Sequence, residues 1–110
     1  MKHQHKDLAS GRWNLLSFAE QMANVGIEIE RTISWKKKRR PEISGRAFDR
    51  ALELLDLTVA DPKNQSRLRE LLRVREAVSD HFVFDNTYQS TTEGWQRYFG
   101  SFLIAVRGKR

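Results

Sequence analysis

Five consecutive cations, Lys36-Lys37-Lys38-Arg39-Arg40, lie between Trp35 and Pro41. The chemistry they offer is phosphate contact: each phosphate neutralised by Lys or Arg adds affinity that ignores base sequence and falls with salt. Trp35 is of the type that stacks on a base. The competing reading is a solvated helix end, where exposed cations gain about 0.3–1 kcal/mol each from the helix dipole. The chain has 20 Lys and Arg against 14 Asp and Glu, a net charge of +6, and its excess is local. Residues 1–40 carry nine cations against four acids, residues 41–84 seven against eight, and residues 85–110 four against two. The partner this distribution points to is RNA or DNA, held by Trp35, Lys36, Lys37, Lys38, Arg39 and Arg40, with help from Arg107, Lys109 and Arg110.

Two further charged residues stand out because they interrupt apolar faces. Arg75 falls between Leu71/Leu72 and Val78/Phe82, and Glu30 falls on the apolar side of the first helical segment. A lone buried charge is costly and a paired one tolerable, so the expectation is a buried ion pair between Glu30 and Arg75. His81 is the one histidine outside the N-terminal stretch. His3 and His5 lack the additional ligands of a metal site, and no metal is expected there. Asp49, Glu53 and Asp56 share a face, but no Glu-x-x-His accompanies them, so they read as a solvated face. The absence of Cys excludes disulfides, thiolate ligands and a cysteine nucleophile. The glycines are scattered singly, without a phosphate loop, and no cofactor is implied.

These residues must be positioned by helices. Between Arg12 and Arg40, Leu15, Ala19, Met22, Gly26, Ile29 and Ile33 recur at 4-3-4-3-4 spacing, the signature of an amphipathic helix about 40 Å long. Ser17, Glu20, Asn24, Glu28 and Arg31 are left to face water. After Pro41, Phe48, Ala51, Leu52, Leu55 and Val59 mark a second helix ending at Asp61-Pro62. A third spans residues 64–84 on Leu68, Leu71, Leu72, Val78 and Phe82. The spacing of Ser90-Thr91-Thr92-Glu93 suits a capping box that opens a fourth, with Trp95, Tyr98, Phe99, Phe102 and Val106 on its face. No segment alternates with period two. The expected fold is all-α, an antiparallel four-helix bundle with a long first helix. The expected organisation is a flexible N-terminal tail over residues 1–11, a single domain over 12–107 and a basic C-terminal end at 108–110.

Successive helical residues step about 100° around the axis, so residues 36–40 form a positive knob at the end of the first helix, not a stripe. Leu103 and Ile104 extend apolar surface beyond the one stripe a monomer needs, which predicts a homodimer or a helical protein partner. The longest apolar run, Phe102 to Val106, is too short to span a bilayer, so no membrane role and a cytoplasmic location are expected.

The stretches "SFAEQMANVGIEIERTI", "RAFDRALELLDLTVADPKN", "RLRELLRVREAVSDHF" and "WQRYF" together resemble a group of short, uncharacterised prokaryotic helical proteins over most of residues 13–107. More distantly, the helical layout and the spacing of Arg75 and His81 are similar to the HEPN superfamily. That resemblance implies a metal-independent ribonuclease or toxin–antitoxin component, in which Arg75 stabilises developing phosphorane charge and His81 acts as general acid or base. Glu76 stands where the superfamily prefers Asn, Asp or His after the Arg. Without that resemblance, the reading is an interaction module that performs no catalysis.

Overall fold

A computed structural model of the chain describes residues 11–108. Four helices pack together: α1 (Phe18–Lys37), α2 (Pro41–Ala60), α3 (Leu68–Phe82) and α4 (Thr92–Arg107), with short 3-10 segments at Arg12–Leu15 and Pro62–Arg67. There is no strand among the described residues. The 4-3-4-3-4 spacing sets α1, but the helix starts later than its apolar pattern. Ser17 caps it reciprocally: Ser17 Oγ accepts from the Glu20 amide at 3.1 Å, and Glu20 Oε1 accepts from the Ser17 amide at 2.8 Å. That box intercepts the helix at Ser17, leaving Leu15 85 % exposed. The first helix is therefore about 30 Å long, no longer than α2, since each spans 20 residues.

Pro41 opens α2 at a position where its missing N–H costs nothing. Asp61 ends it, and Pro62–Arg67 tighten into the 3-10 segment, so α3 begins at Leu68 and not at Asn64. Thr91, not Ser90, caps α4, its Oγ1 accepting from the Gly94 amide at 2.9 Å. Ser90 Oγ instead accepts the Trp95 indole N–H at 3.0 Å.

Helix α1 is central and packs on α2 and on α4, while α2 also packs on α3. Met22, Val25, Ile29 and Ile33 meet Phe48, Leu54, Leu55, Leu71, Val78 and Phe99 in one core. Gly26 allows α4 to come close: a Cβ there would lie 2.8 Å from the Phe99 Cβ. Facing α2, α1 carries a second stripe of buried residues, Gln21, Val25, Glu28 and Thr32. Gln21 Nε2 donates to Asp61 Oδ2 at 2.8 Å, and Thr32 C=O accepts from Ser44 Oγ at 2.8 Å. Partners therefore advance along one helix as they retreat along the other, the pattern of a helical hairpin. Its far end is closed by polar groups satisfied inside the protein. Asn64 Nδ2 donates to Gln21 Oε1 at 2.8 Å and Trp13 Nε1 to Thr58 Oγ1 at 3.0 Å. Burial pushes the Asp61 carboxyl up, but hydrogen bonds from Lys63 and Gln21 outweigh it and hold the group below the usual carboxylate range.

Candidate functional site

The basic run is built on a tight turn. Lys38 ends α1, Arg39 adopts a left-handed conformation with φ 58°, and Arg40 precedes Pro41. The Arg40 amide reaches back to the Trp35 carbonyl at 2.9 Å and the Arg39 amide to the Lys36 carbonyl at 3.1 Å. This is the Schellman pattern of helix ends, whose left-handed position usually takes Gly because a Cβ is crowded there. Here it holds an arginine. Lys36, Lys37, Lys38, Arg39 and Arg40 are all exposed, and none takes an ion-pair partner among the described residues. Trp35 is half-buried, with Lys38 Nζ over its ring at 4.8 Å from the centroid, a cation–π contact that supports the lysine and occupies one face of the ring.

Beside this turn the fold forms a cleft of about 190 Å³ lined by Ile33, Lys36, Lys37, His81, Phe82 and Thr92. It unites the basic run with the histidine, which the sequence offered only as separate features. Ile33 belongs to the core and Phe82 packs against it, giving the cleft an apolar side, while Lys36 and Lys37 are exposed. His81 Nε2 lies 3.2 Å from Thr92 Oγ1, and its Nδ1 is buried with no hydrogen-bond partner. The next residue back, Asp80, does not face the imidazole as a free carboxylate. Amide hydrogen bonds from Tyr88, and then from Thr87, hold it below its ordinary range and pin the loop after α3.

Arg75 is elsewhere. It lines a different groove, with Leu72, Glu76, Ser79 and Phe84, and its Nε donates to Asp56 Oδ1 at 2.7 Å. The predicted ion pair between Glu30 and Arg75 does not form: Glu30 is exposed, and Arg75 is partnered by a residue of the face that was assigned to water. The buried charge of α1 is Glu28, 7 % exposed, which accepts from Arg31 Nη1 and Arg50 Nε at 3.3 Å each. Glu53, also expected at the surface, is buried.

A third concavity, about 560 Å³, runs between α1 and α4 over Ala23, Gly26, Ile27, Trp95, Phe99 and Leu103, with Glu30 and Arg31 also lining it. Ile104 beside it is 73 % exposed and Ile27 46 %. Among the described residues, no three His, Asp or Glu side chains gather as metal ligands, and no helix is long and apolar enough to cross a membrane. His3, His5, Lys109 and Arg110 lie outside the described residues. No family model, curated protein or solved structure matches the chain.

Proposed function

We propose that this protein is a small helical-bundle interaction module that binds nucleic acid through the basic turn closing α1. The observation that carries this reading is five exposed cations spread over the last residues of α1 and the tight turn that follows it, without carboxylate partners among the described residues. The dipole of a helix end amounts to about half a charge, far less than five cations carry, and an arginine in the left-handed position is a strained way to supply one more. Polyanion contact accounts for both. The test is binding of a single-stranded RNA oligonucleotide across a salt series. For Lys36→Gln/Lys37→Gln/Lys38→Gln the slope of log K against log salt falls by about 0.7 per lost phosphate contact. An unchanged slope rejects the turn as the interface.

The apolar groove favours self-association as a second property. Ile27, Leu103 and Ile104 leave apolar surface at a groove also lined by one acidic and one basic residue, Glu30 and Arg31, and a two-fold dimer would cover it with its own copy. Short links between successive helices support an antiparallel order for the bundle. Ile27→Glu/Ile104→Glu should hold the chain monomeric in sedimentation equilibrium, whereas an unchanged mass would reject this surface. The ribonuclease reading implied by the HEPN resemblance has less support. Arg75 is engaged by Asp56, and Arg75 and His81 line different concavities.

A further inference from the structure

We propose that the cleft between the end of α1 and the start of α4 is a seat for a phosphomonoester, the terminal phosphate of a nucleic-acid strand. The inference rests on the nucleic-acid reading above and fixes the part of the strand that is held, its phosphate-bearing end. Lys36 and Lys37 line the cleft and are exposed, and their two positive charges match the two charges that a terminal phosphate carries near neutral pH and a backbone diester does not. Thr92 supplies a directed hydrogen bond. Because His81 Nδ1 is buried without a partner, the less costly neutral imidazole carries its proton on Nε2, a buried unmet N–H being rarer than an unmet acceptor. Nε2–H then donates to Thr92 Oγ1 at 3.2 Å, so the threonine hydroxyl hydrogen points to another acceptor, and none is present among the described residues. His81 is thus a positioning residue for Thr92.

Thr92 also opens α4. Thr91 takes the amide of Gly94 through its side chain and that of Trp95 through its carbonyl, leaving the two amides before them at the positive end of the helix. Glu93, the acidic residue of that turn, does not line the cleft. Size then selects the ligand. About 190 Å³ beside Ile33 and Phe82 admits a phosphate group but not a nucleoside.

The test compares one RNA oligonucleotide carrying a 5′-phosphate, a 3′-phosphate or hydroxyl ends on the full-length protein at physiological salt. A phosphate-ended form should bind about tenfold tighter than the hydroxyl-ended form, the size of a charge-assisted contact set. That preference should disappear in Thr92→Val and in Lys36→Gln/Lys37→Gln. The lysine pair is exposed, so it serves if the threonine variant does not fold. Inorganic phosphate should compete at millimolar concentration only; competition at micromolar concentration would assign the cleft to small phosphates and overturn the strand end as its ligand. Equal affinity for all three oligonucleotides, with the salt slope intact, overturns the seat and leaves the module standing. Binding of none of them overturns both.

Discussion

Arg39 is the residue at which stability and binding should separate. It occupies a left-handed backbone position with φ 58°, where a non-glycine residue carries about 1–2 kcal/mol of strain. Arg39→Gly removes that strain and returns about 0.4–1 kcal/mol through the greater freedom of glycine in the unfolded chain. The net expectation is a gain of about 0.5–1 kcal/mol, or several degrees in melting temperature at about 4–8 °C per kcal/mol for a domain near this size. Arg39→Ala is the control, because alanine loses the same charge but keeps the Cβ that crowds the turn. Urea unfolding at one salt concentration should rank the glycine variant above both the alanine variant and the native chain. RNA binding should weaken equally in the two variants, with the salt slope smaller by about 0.7 in each. A glycine variant no more stable than the alanine variant would refute the strain argument. An undiminished slope would remove Arg39 from the interface.

Other expectations follow from packing and charge. Gly26→Ala should destabilise the fold, since overpacking costs about 1–3 kcal/mol where the new Cβ meets the Phe99 Cβ at 2.8 Å. Gly45→Ala, whose Cβ meets nothing, should stabilise α2 by up to about 1 kcal/mol; urea midpoints moving the same way would contradict this. Glu28→Ala should cost about 1 kcal/mol, chiefly by leaving the partly buried Arg50 without its carboxylate, since the more exposed Arg31 can turn to water. Glu30→Ala at an exposed site should stay within about 0.5 kcal/mol, and a reversed order in thermal melts would place the buried charge elsewhere. Asp80 has a lowered pKa, so its stabilising contribution is complete above the unfolded carboxylate value of about 4 and is lost as pH falls through the lower folded value. The gap in stability between the native chain and Asp80→Ala should therefore be constant at neutral pH and close only below about pH 4. A gap that closed as pH rose would refute the assignment.

The helices themselves were legible because burial of one apolar stripe leaves a period in the sequence. Met22, Gly26, Ile29 and Ile33 announce α1, and Phe48, Ala51 and Leu55 announce α2, all at core positions. The basic turn was legible as well, since Pro41 must end one helix or begin the next. Helix starts were less so. A capping box at Ser17 shortens α1 although Leu15 keeps the apolar period, because a local hydrogen-bond pair decides where the chain turns.

What the sequence determined alone is therefore local: an all-helical chain and five cations gathered at one helix end. The tertiary structure decided which polar residues are interior. Helix α1 lies between two neighbours and buries a second stripe, and Gln21, Glu28 and Thr32 on it meet Asp61, Arg50 and Ser44 across the gap. Such a stripe has no apolar signature, so Glu28 read as solvent-facing and Glu30 as buried. Docking of the helices also brought His81 and Thr92 to Lys36 and Lys37, whereas the angle between His81 and Arg75 was already set by their six-residue spacing on α3. Residues far apart along the chain meet according to how rigid rods seat against one another, and that seating depends on the summed shape of all the faces, which no single stretch of sequence contains.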